Sequence, residues 1–172
     1  SLGTMVANLS AHKAGWDNKW ELFSDWAVKG QAYKEQLLFL VDEDTHAFNK
    51  IIDGFRMPKD TDEEKEARAS AIENATIYAT EIPFKVMETA FQSMEVMQAM
   101  LKDGLQNSLS DAGVGVLCAR TAVIGAYFNV RINAKDIKDR AFAASILAKA
   151  AIIYEQTIAI ENDTIAFIDS KI

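Results

Sequence analysis

Apolar residues recur every three to four positions along almost the whole chain, which is the spacing of one face of an α-helix, and no stretch shows the alternation of a strand. The first such segment runs from about Leu2 to Ala11, is built of small apolar residues and ends at His12-Lys13-Ala14-Gly15. A second extends from about Asn18 to Phe55, with a stripe of Phe23, Ala27, Gly30, Tyr33, Leu37, Val41, Asp44, Phe48, Ile52 and Phe55, and is closed by Gly54 and Pro58. Thr61 with Glu64 three residues later predicts a capping box that starts a third helix, and Asp62, Glu63 and Glu64 suit the positive end of its dipole. That helix reaches about Lys102, carries Ile72, Ala75, Ala79, Ile82, Val86, Ala90, Met94 and Met97 on one face, and has Pro83 inside it, where a hydrogen bond is lost and a kink or split is expected. Asp103-Gly104 breaks the chain. A fourth helix, with Ser110 as the expected N-cap, runs to about Asn133 and is apolar nearly all round, which predicts a central position. Lys135 to Asp139 turns into a last helix from about Arg140 to Ser170, striped with Phe142, Ile146, Ala150, Ile153, Thr157 and Ile160. The expected fold is all-α: one domain over residues 1–172, an up-and-down bundle of long helices joined by short turns.

Composition narrows the classes of function. With 18 basic and 25 acidic residues the formal charge is −7, and no basic stripe stands out, which argues against nucleic-acid binding. The single Cys118 rules out an internal disulfide framework and suits a reducing, cytoplasmic setting. The longest apolar run, Val114 to Val130, is broken by Arg120 and Asn129, so no membrane span is expected. No His, Cys, Asp or Glu spacing matches a metal site, and no glycine-rich phosphate loop is present. The methionines at 87, 94, 97 and 100 read as core or interface packing.

Asp44 is the exception on its stripe, whose other members are apolar or aromatic. A carboxylate buried there must be paired or have a raised pKa, and a neutral carboxyl near pH 7 is a candidate general acid. Asp42 and Glu43 project to other sides of the helix. The plainer reading of Asp44 is a carboxylate that caps or bonds a neighbouring helix, and the pattern leaves both open. Asn129 and Asn133, four apart and on one side of the fourth helix, suit either interhelical hydrogen bonds or the orientation of a heteroaromatic ligand. Asp111 reads as a first-turn acid favoured by the dipole, and Lys13 as a solvated loop charge.

Five runs change that balance: Leu2-Gly3-Thr4-Met5-Val6; Leu40-Val41-Asp42-Glu43-Asp44 with Ala47-Phe48; Met57-Pro58-Lys59-Asp60-Thr61; Ser110-Asp111; and Gly125-Ala126-Tyr127-Phe128-Asn129-Val130-Arg131-Ile132-Asn133. In order and spacing they resemble the formiminotetrahydrofolate cyclodeaminase/methenyltetrahydrofolate cyclohydrolase family. The resemblance implies an all-helical homodimer that binds a reduced folate, which can be polyglutamylated, and that works beside a formiminotransferase. It places the family's catalytic aspartate on Asp44, its helix-four asparagines on Asn129 and Asn133, and its basic residue after the first helix on Lys13, with Asp111 added as a substrate-binding residue. His12 stands where many relatives have glycine, a departure that bears on the loop holding Lys13. The family also begins with a glycine-rich Pro-Gly-Gly-Gly-Ser segment and an Ala-rich helix, so this chain is expected to start within that helix. The implied reaction is cyclisation of 5-formiminotetrahydrofolate to the 5,10-methenyl cation with loss of ammonia, which needs no metal or redox cofactor beyond the tetrahydrofolate substrate itself. The alternatives are methenyl hydrolysis and a non-catalytic folate-binding or scaffold role. Among the surfaces, the Met-rich third helix is the expected dimer interface.

Overall fold

The computed structural model describes residues 1–172 as five helices and no strands. They are α1 (Leu2–Ala11), α2 (Trp20–Arg56), α3 (Asp62–Asp103), α4 (Leu109–Asn133) and α5 (Arg140–Asp169), with single 3-10 turns at Asp17–Lys19 and Gln106–Ser108. The capping box before α3 forms as expected: Glu64 N donates to Thr61 Oγ1 at 3.2 Å, and Glu64 Oε2 accepts from Thr61 N at 3.1 Å. Asp139 caps α5 by accepting from the backbone of Ala141 and Phe142, both at 3.0 Å. Ser110 does not cap α4; the helix already begins at Leu109, and Ser108 precedes it without a side-chain bond.

The centre of the bundle is α3 rather than α4. It packs against all four other helices, most extensively against α4 and α2. Met87, Met94, Met97 and Met100 are all buried there, so the Met-rich face is spent inside the chain and is not an interface. Helix α4 leaves half of its apolar girdle uncovered, with Val114, Leu117, Phe128 and Ile132 exposed. By length and composition alone, Gln106–Asn133 and Arg140–Asp169 could each cross a membrane, an outcome the breaks at Arg120 and Asn129 had argued against. Within those windows 33% and 22% of the residues are buried, and both helices pack against α3.

Helix α3 runs unbroken through Pro83. Proline has no N–H, so the carbonyl of Ala79, four residues earlier, loses its helical partner. Asn133 replaces it: its Nδ2 donates to Ala79 O at 2.8 Å. The end of α4 is thereby fastened to the middle of α3. Two further ties close the bundle ends. Buried Ser10 accepts from Leu105 N at 3.1 Å, joining α1 to the α3–α4 turn, and Glu73 Oε1 accepts from Lys138 N at 2.7 Å, joining α3 to the α4–α5 turn.

Candidate functional site

Helices α2 and α4 flank α3 but make little direct contact with each other, and a groove lies between them over the α3 surface. Its volume is about 450 Å³, within the range of small-molecule sites. The α3 floor includes Ala90, Val96 and Met97, and α1 closes one end with Leu2 and Gly3. At that end four helices converge, because glycines permit it. A β-carbon on Gly30 would lie 2.6 Å from Thr4 Oγ1, and one on Gly115 would lie 2.7 Å from Met97 Cγ. Farther along α4, a β-carbon on Gly125 would meet nothing, so this side of the helix faces open space.

Asp44 is not buried. It is exposed and takes part in none of the side-chain ion pairs. The predicted stripe is real but does not face α3. Helix α2 meets α3 through Leu40, Ala47 and Gly54, with Glu43 between them, and this line is rotated away from the stripe. The stripe itself looks into the groove: Leu37 and Val41 line it, and at 3.6 residues per turn Asp44 falls inside the arc spanned by the lining side chains. Val41, at the end of the lined part, is 63% exposed, and Phe48 beyond it is 61% exposed. Asp44 thus stands one turn past Val41 on the α2 wall, a carboxyl between two exposed apolar groups.

Of the three acids, Glu43 is the one engaged with α3. Its side chain is 21% exposed, accepts a hydrogen bond from the Tyr78 hydroxyl, and lies 3.2 Å from His46 Nδ1. The Tyr78 bond, then the His46 bond, holds its carboxyl below the usual value, and the same bond raises the Tyr78 phenol. Lys50 lies over the Tyr78 ring at 4.0 Å. Sequence periodicity passed over this contact because Glu43 belongs to a different face from the apolar stripe.

The α4 wall carries Gly115, Cys118, Ala119 and Ala122. Continuing the same helix face gives Gly125, Asn129 and Asn133. Asn129 is exposed; Asn133 is half-buried and bonded to Ala79 O through its amide nitrogen. Ala79 packs in one cluster with Leu40 and Ala47, which flank Asp44 on α2. Asp44 and Asn133 therefore stand at one level of the bundle, on the two walls. Asp111 is placed elsewhere. It lies one turn before Gly115, near α1, and is 18 residues from Asn129, about 27 Å of helix. Lys13 lies past the far end of α1 with its ammonium 4.0 Å from the Trp16 ring, which it shares with Lys19. No cluster of three or more His, Cys, Asp or Glu residues could hold a metal ion.

A second polar set braces α2 on α3 beside the groove. Tyr33, a groove residue, donates its hydroxyl to Glu95 Oε1, and Lys29 Nζ lies 2.7 Å from the same oxygen. Burial, aided by the bond to Glu95, pushes the Tyr33 phenol up to about 12. Burial opposes ionisation of Glu95, yet the bonds from Lys29 and Tyr33 hold its carboxyl below the usual value. The signs give two limbs. A lowered carboxyl stabilises the fold above its ordinary pKa near 4.5, and that contribution is lost as pH falls through the lowered value. A raised phenol stabilises it below pH 10.0, and that contribution is lost as pH rises through about 12. In denaturant titrations Tyr33→Phe is expected to flatten the alkaline decline between those values, and Glu95→Gln the acid one. Limbs of wild-type steepness in both variants would show that this cluster does not set them.

Residues 1–152 match the protein family described as formiminotransferase-cyclodeaminase. The chain is 30% identical over 172 residues to the methenyltetrahydrofolate cyclohydrolase of Methylorubrum extorquens, covering 100% of this chain and 83% of that protein. It is 33% identical over 142 residues to the formimidoyltransferase-cyclodeaminase of Mus musculus, covering 83% of this chain and only 26% of that longer protein. In fold it is similar to the crystal structure of formiminotetrahydrofolate cyclodeaminase from Thermotoga maritima, with a TM-score of 0.79 at 19% identity over 99% of this chain and 79% of that one. The chain therefore belongs to the formiminotransferase-cyclodeaminase family, whose members are folate one-carbon enzymes of the cyclodeaminase/cyclohydrolase type.

Proposed function

We propose that this protein cyclises 5-formiminotetrahydrofolate to 5,10-methenyltetrahydrofolate and releases ammonia. The observation that carries the reading is a carboxyl, Asp44, on an otherwise apolar stripe at the end of an open groove. In the reaction N10 attacks the formimino carbon, the N10–C bond forms, and N10 gives up its proton to solvent. The formimino nitrogen, which enters protonated as the =NH2⁺ end of an amidinium, takes one further proton from Asp44 and leaves as ammonia with the C–N electron pair. Positive charge is then shared across N5, the carbon and N10, beside the aspartate formed in the same step. Asn129 and the free carbonyl oxygen of Asn133, on the facing wall, orient the pterin or the formimino group. No metal or redox centre enters these steps. A formiminotransferase, joined to this unit in the longer relatives, is the natural source of the substrate.

The experiment is direct: 5-formiminotetrahydrofolate is added to the protein and the methenyl absorbance is followed with ammonia release. Growth of both supports the reading, and their absence excludes it. The relative named as a cyclohydrolase aligns with the whole chain, which favours a second reading in which carboxylate Asp44 acts as base for water attacking the methenyl carbon. Decay of added methenyltetrahydrofolate, faster than its spontaneous hydrolysis and without any formimino turnover, would select it. A scaffold that binds no folate would show no rise in melting temperature with any reduced folate.

We further propose a homodimer. Phe48 and Phe55 on α2, past the groove, and Val114, Leu117, Phe128 and Ile132 on α4 are all exposed, an apolar area that a second copy would cover. Covering it would also exclude water from the end of the groove where Asp44 stands. Sedimentation is expected to show a dimer for the wild type and a monomer for Phe128→Asp; a monomeric wild type would end this proposal.

A further inference from the structure

Lys34 is the one charged side chain that lines the groove, and nothing in the chain neutralises it. It is half-buried on the α2 wall beside Leu37 and Leu38, and it makes no ion pair and no side-chain hydrogen bond. Neighbouring cations are already engaged: Lys29 holds Glu95 at 2.7 Å, and Arg120 Nε lies 3.0 Å from Glu161 Oε2 in a contact not aligned as a hydrogen bond. A lone ammonium on apolar walls is a binding point for an anion that arrives with the ligand.

We propose that Lys34 is a substrate-specificity residue that binds a carboxylate of the folate glutamate. This rests on the folate reading above. Lys34 precedes Asp44 by ten residues on one continuous helix, a separation of about 15 Å at 1.5 Å per residue. Both side chains fall within the arc of α2 that faces the groove. The reacting N5–C–N10 unit of a reduced folate is joined to its glutamate by an aminobenzoyl ring and an amide. With a contact of about 3 Å at each end, that arm spans a distance of this order. The stretch between the two charged groups, Leu37, Leu38 and Val41 on one wall and Ala119 and Ala122 on the other, is apolar, which suits an aromatic ring. Lys13, stacked on Trp16 beyond the far end of α1, does not share this groove.

The two roles open to Lys34, anion binding and mere cover for apolar surface by its methylene stem, separate when the substrate is changed. Wild-type, Lys34→Gln and Lys34→Arg proteins are assayed with 5-formiminotetrahydrofolate and with 5-formiminotetrahydropteroate, which lacks the glutamate. Loss of one charge-assisted bond predicts that Lys34→Gln raises KM for the folate about tenfold. With kcat unaffected and KM for the pteroate unchanged, the lost binding is uniform and belongs to the glutamate. Lys34→Arg should keep the preference for the folate. Equal KM changes for both substrates, or none for either, overturn the proposal while leaving the reaction itself in place. A wild-type protein that neither turns over nor binds any reduced folate overturns both.

Discussion

Asp44→Asn is expected to slow methenyl formation by about 10²- to 10⁴-fold, the usual contribution of a positioned general acid, with little change in folding stability. The combination is diagnostic because the structure separates the two effects. Asp44 is exposed and unpaired, so its carboxylate holds no helix in place. An amide of nearly the same size leaves the fold within about 0.5 kcal/mol, which for a chain of this length moves the melting temperature by about 2 °C or less. The amide cannot donate the proton that departing ammonia needs. KM should move little, since the lost interaction is made in the transition state rather than on binding. Stopped-flow absorbance under single turnover, beside a thermal melt, gives both numbers. Full turnover in Asp44→Asn would remove the carboxyl from the chemistry, whichever of the two folate reactions is assayed. A large fall in melting temperature would instead make Asp44 a structural residue and would contradict its exposed position.

The sequence made the helices legible because their ends carry local chemistry. Gly54 with Pro58, Thr61 with Glu64, and Asp103-Gly104 each act within a few residues, and the observed ends of α2, α3 and α4 lie close to them. The face of each helix was legible too, since 3.6-residue periodicity is a property of the chain alone. What covers a face is not. The stripe through Val41, Asp44 and Phe48 has the pattern of a core-facing row, yet α3 meets α2 along Leu40, Glu43 and Ala47. A long helix with two apolar rows does not record which row its own chain will use. The same ambiguity made α4 look central, although part of its apolar circumference faces the groove and the exterior. Lys34 was passed over for a related reason. One lysine on a helix is ordinary; one lysine on the wall of an apolar groove is not, and the groove exists only once α2 and α4 are both laid on α3.

Asn133→Ala is expected to destabilise the protein by about 1–3 kcal/mol, the cost of leaving a buried carbonyl without a partner; at about 2–4 °C per kcal/mol for a domain of this size, the melting temperature should fall by several degrees. The carbonyl in question is Ala79 O, which Pro83 cannot serve and which Asn133 Nδ2 reaches at 2.8 Å. The cause can be tested by restoring the missing donor. Pro83→Ala returns an N–H to α3 at the position four residues after Ala79, so the carbonyl regains a helical partner. In that background Asn133→Ala should cost less than in the wild type by at least about 1 kcal/mol, because the two residues serve the same acceptor and their effects cannot add. Equal costs in both backgrounds would show that Asn133 stabilises the bundle by some other contact. The cycle also divides the two roles open to this asparagine. Its Nδ2 is committed to α3, while its carbonyl oxygen accepts no hydrogen bond within the chain. If the side chain only braces the fold, the double variant regains catalytic efficiency along with stability. If it also orients the substrate, the double variant melts near the Pro83→Ala protein yet keeps a raised KM, and Asn133 then links the shape of α3 at its proline to the position of the substrate opposite Asp44.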